Sequence, residues 1–340
     1  HTMKGVLLVN LGSPASTSTK DVRKYLDQFL MDERVIDAPY WLRAILVRGI
    51  ILNTRPKKSA KAYKKIWWDE GSPLIVLSER LHDKVQEKTE LPVALAMRYG
   101  SPSMKDGLQE LHDKGVTDVL IVPLYPQHAM ATTDTILVLA EELREKFYPQ
   151  MKFKHIPAFY HKKEYIKVLG DSIKNYLKGK EWDKILFSYH GIPERHVRKS
   201  DITKSHCKPN DSVNFECCKT ASPAHEFCYK HQCYETTRQV VEYLGIEPDQ
   251  HFVSFQSRLA GDPWLQPYTD KLLEKYPSEG VKKLAVVTPA FVSDCLETLE
   301  EIAMEGKEEF LKFGGEQFHA IPCINDNDDW VDVLVDWIEE

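Results

Sequence analysis

The amino-acid sequence predicts an α/β protein with two parallel β-sheets, each covered on both faces by helices. Two observations carry this. Short, almost wholly apolar runs alternate with longer amphipathic segments of helical period, the pattern of strands buried on both faces of a sheet. The second half of the chain also repeats the layout of the first, as two copies of one unit would.

The strand-like runs fall at 5–10, 93–97, 118–122, 152–156, 184–188, 252–256 and 283–288. Each is bounded by turn residues and neighbours a segment long enough for a helix. The first run, VLLVN, leads into Leu11-Gly12-Ser13-Pro14, and KILFSY leads into His190-Gly191-Ile192-Pro193. Both share a strand-x-Gly-x-Pro layout. Gly115-Val116 opens VTDVLIVPLYP and Gly280-Val281 opens VKKLAVVTPAF, which sets Thr132-Thr133 opposite Glu297-Thr298. The expected halves are 3–150 and 151–340, the second carrying a cysteine-rich insert over 205–234.

A chain of 340 residues suffices for two lobes of roughly 150 residues, with a core that needs no disulfides. The net charge of -6 speaks against nucleic acid, whose phosphates require clustered Lys and Arg. No apolar run reaches the roughly 18 residues of a membrane span. Met3 leads straight into a strand without leader-like features, so the expected location is the cytoplasm. No G-x-G-x-x-G follows the first strand, which disfavours a nicotinamide-dependent dehydrogenase.

Ligands of doubly wound sheets bind beyond the carboxyl ends of the strands. The loops to search are therefore 11–14, 98–101, 124–133, 189–193, 256–264 and 289–297. The first offers Leu11 and Ser13. His190 ends a strand before a glycine, where an imidazole can reach a ligand and exchange protons near neutrality. On an α-helix, Asp294, Glu297 and Glu301 would fall within an arc of roughly 60°. Such a stripe could receive a divalent cation or carry protons, although Asp294 and Glu297 also have capping-box spacing. Tyr99, Tyr125, Tyr189, Trp264 and Phe291 stand in or beside these loops, as a large flat ligand would want. Arg98 could pair with a ligand carboxylate. The apolar stretch YWLRAILVRGIIL at 40–52, broken only by Arg43, Arg48 and Gly49, reads as core, as the lip of a cleft or as a membrane-surface contact.

Cys207, Cys217, Cys218, Cys228 and Cys233 lie within 27 residues, while Cys295 and Cys323 stand apart. In a reducing compartment such crowding points to metal ligation. Four thiolates suffice for a 2Fe–2S cluster or a structural zinc. Cys207, Cys228 and Cys233 are the firmer ligands, and the fourth is Cys218 or, alternatively, Cys217.

The stretches LLVNLGSP (7–14), FLMDERVID (29–37), RPKKSAKAYKKIW (55–67), EGSPL (70–74), AMRYGSPS (96–103), PLYPQHAMATT (123–133), SYHGIP (188–193), FQSRLAGDPWLQP (255–267) and PAFVSDCLETLEEI (289–302) resemble ferrochelatases almost end to end and in order. The resemblance implies a chelatase fold, two Rossmann-like halves with a porphyrin cleft between them. It implies insertion of Fe2+ into protoporphyrin IX to give protohaem. His190 and Glu297 would face each other across the macrocycle, with Asp294 and Glu301 extending the acidic path for iron or protons. Arg98, Tyr99 and Trp264 correspond to cleft residues, and Leu11, Ser13, Tyr125 and Phe291 are further expected substrate contacts.

Some ferrochelatases carry a 2Fe–2S cluster on an internal segment, which the cysteine insert resembles. The lip at 40–52 would give peripheral contact with the inner membrane, and that lip or the insert could serve a homodimer. The sequence departs from the family pattern at His128-Ala129, where tyrosine and serine are usual. Ala15 stands where coproporphyrin-using relatives have a tyrosine, which favours protoporphyrin IX. The rivals are a chelatase for cobalt or nickel, a coproporphyrin ferrochelatase, and a non-catalytic haem- or iron-handling protein. The paired base and acid favour the enzyme.

Overall fold

The structure, a computed structural model, describes residues 2–203, 217, 222–259 and 263–340. The chain forms two units. One comprises His1–Tyr125, Met130–Ala158 and Asn325–Glu340, the other Pro126–Ala129 and Phe159–Ile324. This division corrects the expected halves of 3–150 and 151–340. The C-terminal helix Asp328–Glu339 joins the first unit because its apolar face, with Trp330, Val331, Leu334 and Ile338 buried, packs on the helix Pro73–Glu87. Pairing of Lys84 with Asp328 and of Lys88 with Asp332 rims that contact. These exposed ion pairs add little beside the burial.

The first unit holds β1 (Lys4–Gly12), β2 (Val93–Tyr99), β3 (Asp118–Pro123) and β4 (Lys152–His155), all parallel, in the order β2-β1-β3-β4. The second holds β5 (Lys184–His190), β6 (His251–Gln256), β7 (Lys283–Val287) and β8 (Gln317–Ala320), again parallel, in the order β6-β5-β7-β8. The internal repeat thus extends to topology. Val6–Val9 in β1 and Ile185–Phe187 in β5 are wholly buried, because each central strand is covered on both faces. The strand β8 was not expected: QFHA is too short and polar to stand out.

At matching places, after β3 and after β7, the chain forms π-helical turns, Met130–Asp134 and Glu297–Gly306. Such widened turns are frequent at functional sites. Gly12 closes β1 at φ 121°, and a Cβ there would lie 1.8 Å from the Tyr99 carbonyl oxygen. Only glycine allows both that backbone angle and that approach. Gly12→Ala is therefore expected to cost at least about 2 kcal/mol of unfolding free energy, measured by urea denaturation. An unchanged midpoint would contradict the close approach.

Candidate active site

His190 ends β5 opposite Gln256, the last residue of β6. Its Nδ1 lies 2.6 Å from the Gly191 carbonyl oxygen. A carbonyl only accepts, so Nδ1 carries a hydrogen, and in the unprotonated ring the lone pair falls on Nε2. The His190 main-chain oxygen accepts from the Tyr229 hydroxyl at 2.7 Å, and the Phe291 ring meets the imidazole edge-on at 6.0 Å. Gly191 cannot be larger: a Cβ would approach the Gln256 oxygen to 2.8 Å and the Trp264 ring to 3.4 Å. His190, Phe291 and Trp264 therefore gather at the carboxyl ends of β5 and β6.

The acidic segment departs from the expected α-helix. The helix is π-type and begins at Glu297. Asp294 lies before it and is buried at 6% exposure, accepting from the Thr298 hydroxyl at 2.7 Å and the Cys323 amide at 3.2 Å. The stripe of three carboxylates is thus corrected to Glu297 and Glu301 at the helix start, with Asp294 bracing the turn beneath. Glu300 is buried as well. Glu301 takes two hydrogen bonds from Ser257, one from its hydroxyl and one from its amide at 2.9 Å. Burial pushes the Glu301 carboxyl up to about 7, with the nearby Glu297 charge adding to it and the Ser257 and Gln256 hydrogen bonds opposing.

In the first unit, Arg98 and Tyr99 serve an internal carboxylate. Arg98 donates to Asp32 at 3.0 Å and to the Thr135 hydroxyl at 2.9 Å, while Tyr99 donates to Asp32 at 2.6 Å. Thr135 also donates to Asp32. The Arg98 guanidinium stacks over the Tyr99 ring at 4.5 Å. Tyr99 is wholly buried, and the carboxylate paired with Arg98 in this structure is that of Asp32. Burial would raise the Asp32 carboxyl. The Thr135 and Tyr99 hydroxyls, the Arg34 amide and the Arg98 charge together outweigh it and hold Asp32 below its ordinary value. Sequence reasoning passed over Asp32, although it stands in FLMDERVID.

Ser13 lines a cavity of about 380 Å³ in the first unit, together with Tyr25, Trp67, Glu70, Ser72 and Gly100. The Ser13 hydroxyl is buried and makes no hydrogen bond among the described residues. Leu11 and Tyr125 instead pack with the core behind β1. His128 belongs to the second unit, where its amide donates to Gln232 at 2.7 Å and its ring meets Phe227 edge-on.

Cys207 and Cys218 lie outside the described residues. Cys217, Cys228 and Cys233 are buried. Cys228 begins the helix Tyr229–Leu244, its sulfur accepting from the His231 amide at 3.5 Å, and Cys233 follows within that helix. Burial pushes the Cys233 thiol well up, and the charge of Cys228 is close enough to act on it.

Two four-stranded parallel sheets of the same strand order, each flanked by helices, make this an α/β protein of the chelatase fold. Solved structures agree on the fold. SirB from Bacillus subtilis with Fe3+ aligns with a TM-score of 0.53 and 11% identity over 100% of this chain and 95% of that one. The sirohydrochlorin chelatase SirB from Bacillus subtilis subspecies spizizenii in complex with cobalt gives 0.54 and 9% over the same shares. The sequence pattern of the ferrochelatase family matches residues 3–340. Curated ferrochelatases of Ectopseudomonas mendocina and Opitutus terrae are 49% and 47% identical, each over 97% of this chain and 95% of the relative. The chain belongs to the ferrochelatase family: it is a porphyrin metal chelatase of the lyase class that forms protohaem.

Because Asp32 is held below its ordinary value, it contributes stability above about pH 4. That contribution is lost as pH falls through the folded-state value. Asp32→Asn is expected to cost about 3 kcal/mol at neutral pH, with the deficit narrowing in acid. Urea denaturation across pH checks this, and a deficit independent of pH would contradict it.

Proposed function

We propose that His190 and Glu297 carry the metallation of protoporphyrin IX, with Glu301 and Asp294 behind them. Each turnover joins Fe2+ to the ring and releases its two pyrrole N–H protons. The observation that supports this most is the hydrogen bond from His190 Nδ1 to Gly191, which leaves Nε2 as a proton acceptor at a strand end. Ring nitrogens held in a plane present their lone pairs poorly to a metal, so a site that bends the ring assists. Phe291 and Trp264, beside His190, give the macrocycle aromatic surface. Glu297 offers a carboxylate for the arriving iron or the departing proton. Glu301, titrating near 7, can hold or release a proton at working pH.

Asp294 fixes the turn rather than meeting substrate. Ser13, with its buried hydroxyl lining a cavity, would offer a polar contact to the ring. In the same unit Arg98 and Tyr99 bond to Asp32, and Leu11 and Tyr125 pack in the core. Ala15 leaves the position after Pro14 without a phenol, which favours protoporphyrin over coproporphyrin.

A 2Fe–2S cluster on Cys207, Cys228, Cys233 and one of Cys217 and Cys218 fits the donor set. Three of these thiols, Cys217, Cys228 and Cys233, are buried in one unit. Among the described residues no group of three or more His, Cys, Asp or Glu is arranged to hold a metal, and the remaining ligands fall on Cys207 and Cys218. The cluster would supply structure or sensing, since metallation transfers no electron. Tyr229 links this segment to the His190 main chain.

Tyr40, Trp41, Ile45 and Ile50 are exposed, Trp41 by 65%. No helix among the described residues is long and apolar enough to cross a membrane. These side chains suit a membrane surface, in keeping with a cytoplasmic protein peripheral to the inner membrane. A homodimer through this lip or the cysteine segment is compatible with the same exposure.

His190→Ala and Glu297→Gln are each expected to lower kcat by about 10²-fold or more, measured by anaerobic loss of porphyrin fluorescence with ferrous iron. Unchanged turnover in both would remove the assignment. Anaerobically purified protein should show iron–sulfur absorption with about two irons and two sulfides per chain, and Cys228→Ser should lose it. A colourless protein containing zinc would replace the cluster by a structural zinc site.

A further inference from the structure

We infer that Gln256 and Ser257, at the end of β6, are positioning residues that hold Glu297 and Glu301 in register with His190, an inference that rests on the roles proposed above. Gln256 is 3% exposed and bonds in three directions. Its main-chain oxygen accepts from the Gly191 amide at 2.7 Å. Its side-chain oxygen accepts from the Ser188 hydroxyl at 2.7 Å, and its side-chain amide donates to the Glu297 main-chain oxygen at 2.9 Å. One side chain thus joins the strand that presents His190 to the first residue of the π-helix.

The orientation of that amide is determined. Rotating it by half a turn would set its oxygen against the Glu297 carbonyl, two acceptors facing each other. The Ser188 hydroxyl also meets the Thr269 hydroxyl at 2.7 Å, and Thr269 meets Ser254 at 2.7 Å. A buried chain of hydroxyls therefore backs Gln256 from below, and satisfied buried networks of this kind rigidify what they touch.

Ser257 adds a second grip. Its φ of 65° lies in the left-handed region, where a residue with a Cβ is strained. In that conformation its amide and its hydroxyl both reach the Glu301 carboxylate, one on each oxygen. Arg258, the next residue, pairs with Asp270 at 2.6 Å and stacks over Tyr268 at 4.0 Å, which fixes the chain leaving the turn. Gln256 holds the main chain of the proposed acid, and Ser257 holds the carboxylate one turn further on.

A residue that only stabilised the fold would act independently of Glu297, whereas a positioning residue acts through it. The test is a double-mutant cycle in the intact chain, read by anaerobic steady-state metallation with protoporphyrin IX and ferrous iron. Gln256→Met keeps the length and removes the side-chain hydrogen bonds. Gln256→Glu keeps an acceptor for Ser188 and removes the amide donor to the Glu297 main chain together with its hydrogen bond to Glu301, so it serves where the methionine variant does not fold. Each is expected to lower kcat about tenfold or more with porphyrin KM within about twofold. Combined with Glu297→Gln, either should add no further loss beyond that of Glu297→Gln alone. Ser257→Gly, which keeps the amide donor and tolerates the backbone angle, should retain more activity than Ser257→Ala. Losses that multiply in the double variant, a loss confined to KM, or Ser257→Ala equal to Ser257→Gly would overturn the positioning role while leaving the catalytic pair intact. Full turnover in Glu297→Gln alone would overturn both.

Discussion

The parallel pairing of β5 with β6 runs to its last residues, where His190 lies opposite Gln256. At that point the ladder stops and both chains turn away. The Gly191 amide still bonds to the Gln256 oxygen, and only a residue without a Cβ can stand so close. The imidazole consequently stands at the end of a buried central strand, with a hydrogen on Nδ1 directed into its own turn. Everything placed at this rim inherits the rigidity of the core, because Ile185, Leu186 and Phe187 behind it admit no solvent.

Two buried carboxylate environments then diverge. Asp32 is surrounded by donors and a guanidinium and stays ionised, so it organises structure. Glu301 has donors from Ser257 yet no cation bonded to it among the described residues, and burial, with a smaller push from the Glu297 charge, raises its carboxyl. The same side-chain chemistry is thus pushed in opposite directions in the two units. On the proposed roles, Glu301 and the His190 imidazole are the groups that would take protons from the ring.

The architecture was legible because parallel strands buried on both faces leave continuous apolar runs, and the repeated strand-x-Gly-x-Pro turns disclosed the duplication. β8 escaped notice since QFHA lies at a sheet edge and needs no such run. That His190 would end a strand could be read from its position before Gly191. Asp294 misled because a helical wheel assumes 3.6 residues per turn, and the actual turn is wider and begins three residues later. The pairing of Arg98 and Tyr99 with Asp32 was not legible, because Asp32 stands 66 residues before Arg98 in sequence. Gln256 carried no signal of its own: a polar residue closing an apolar strand reads as a loop residue unless its partners are known.

The measurement that bears most directly on this account is a crystal structure of the chain with protoporphyrin IX bound and no metal. The account predicts pyrrole nitrogens within hydrogen-bond reach of His190 Nε2, with the Glu297 carboxylate directed at the macrocycle and the Gln256 bond to its main chain retained. A ring seated away from both His190 and Glu297, in protein that still turns over, would contradict it.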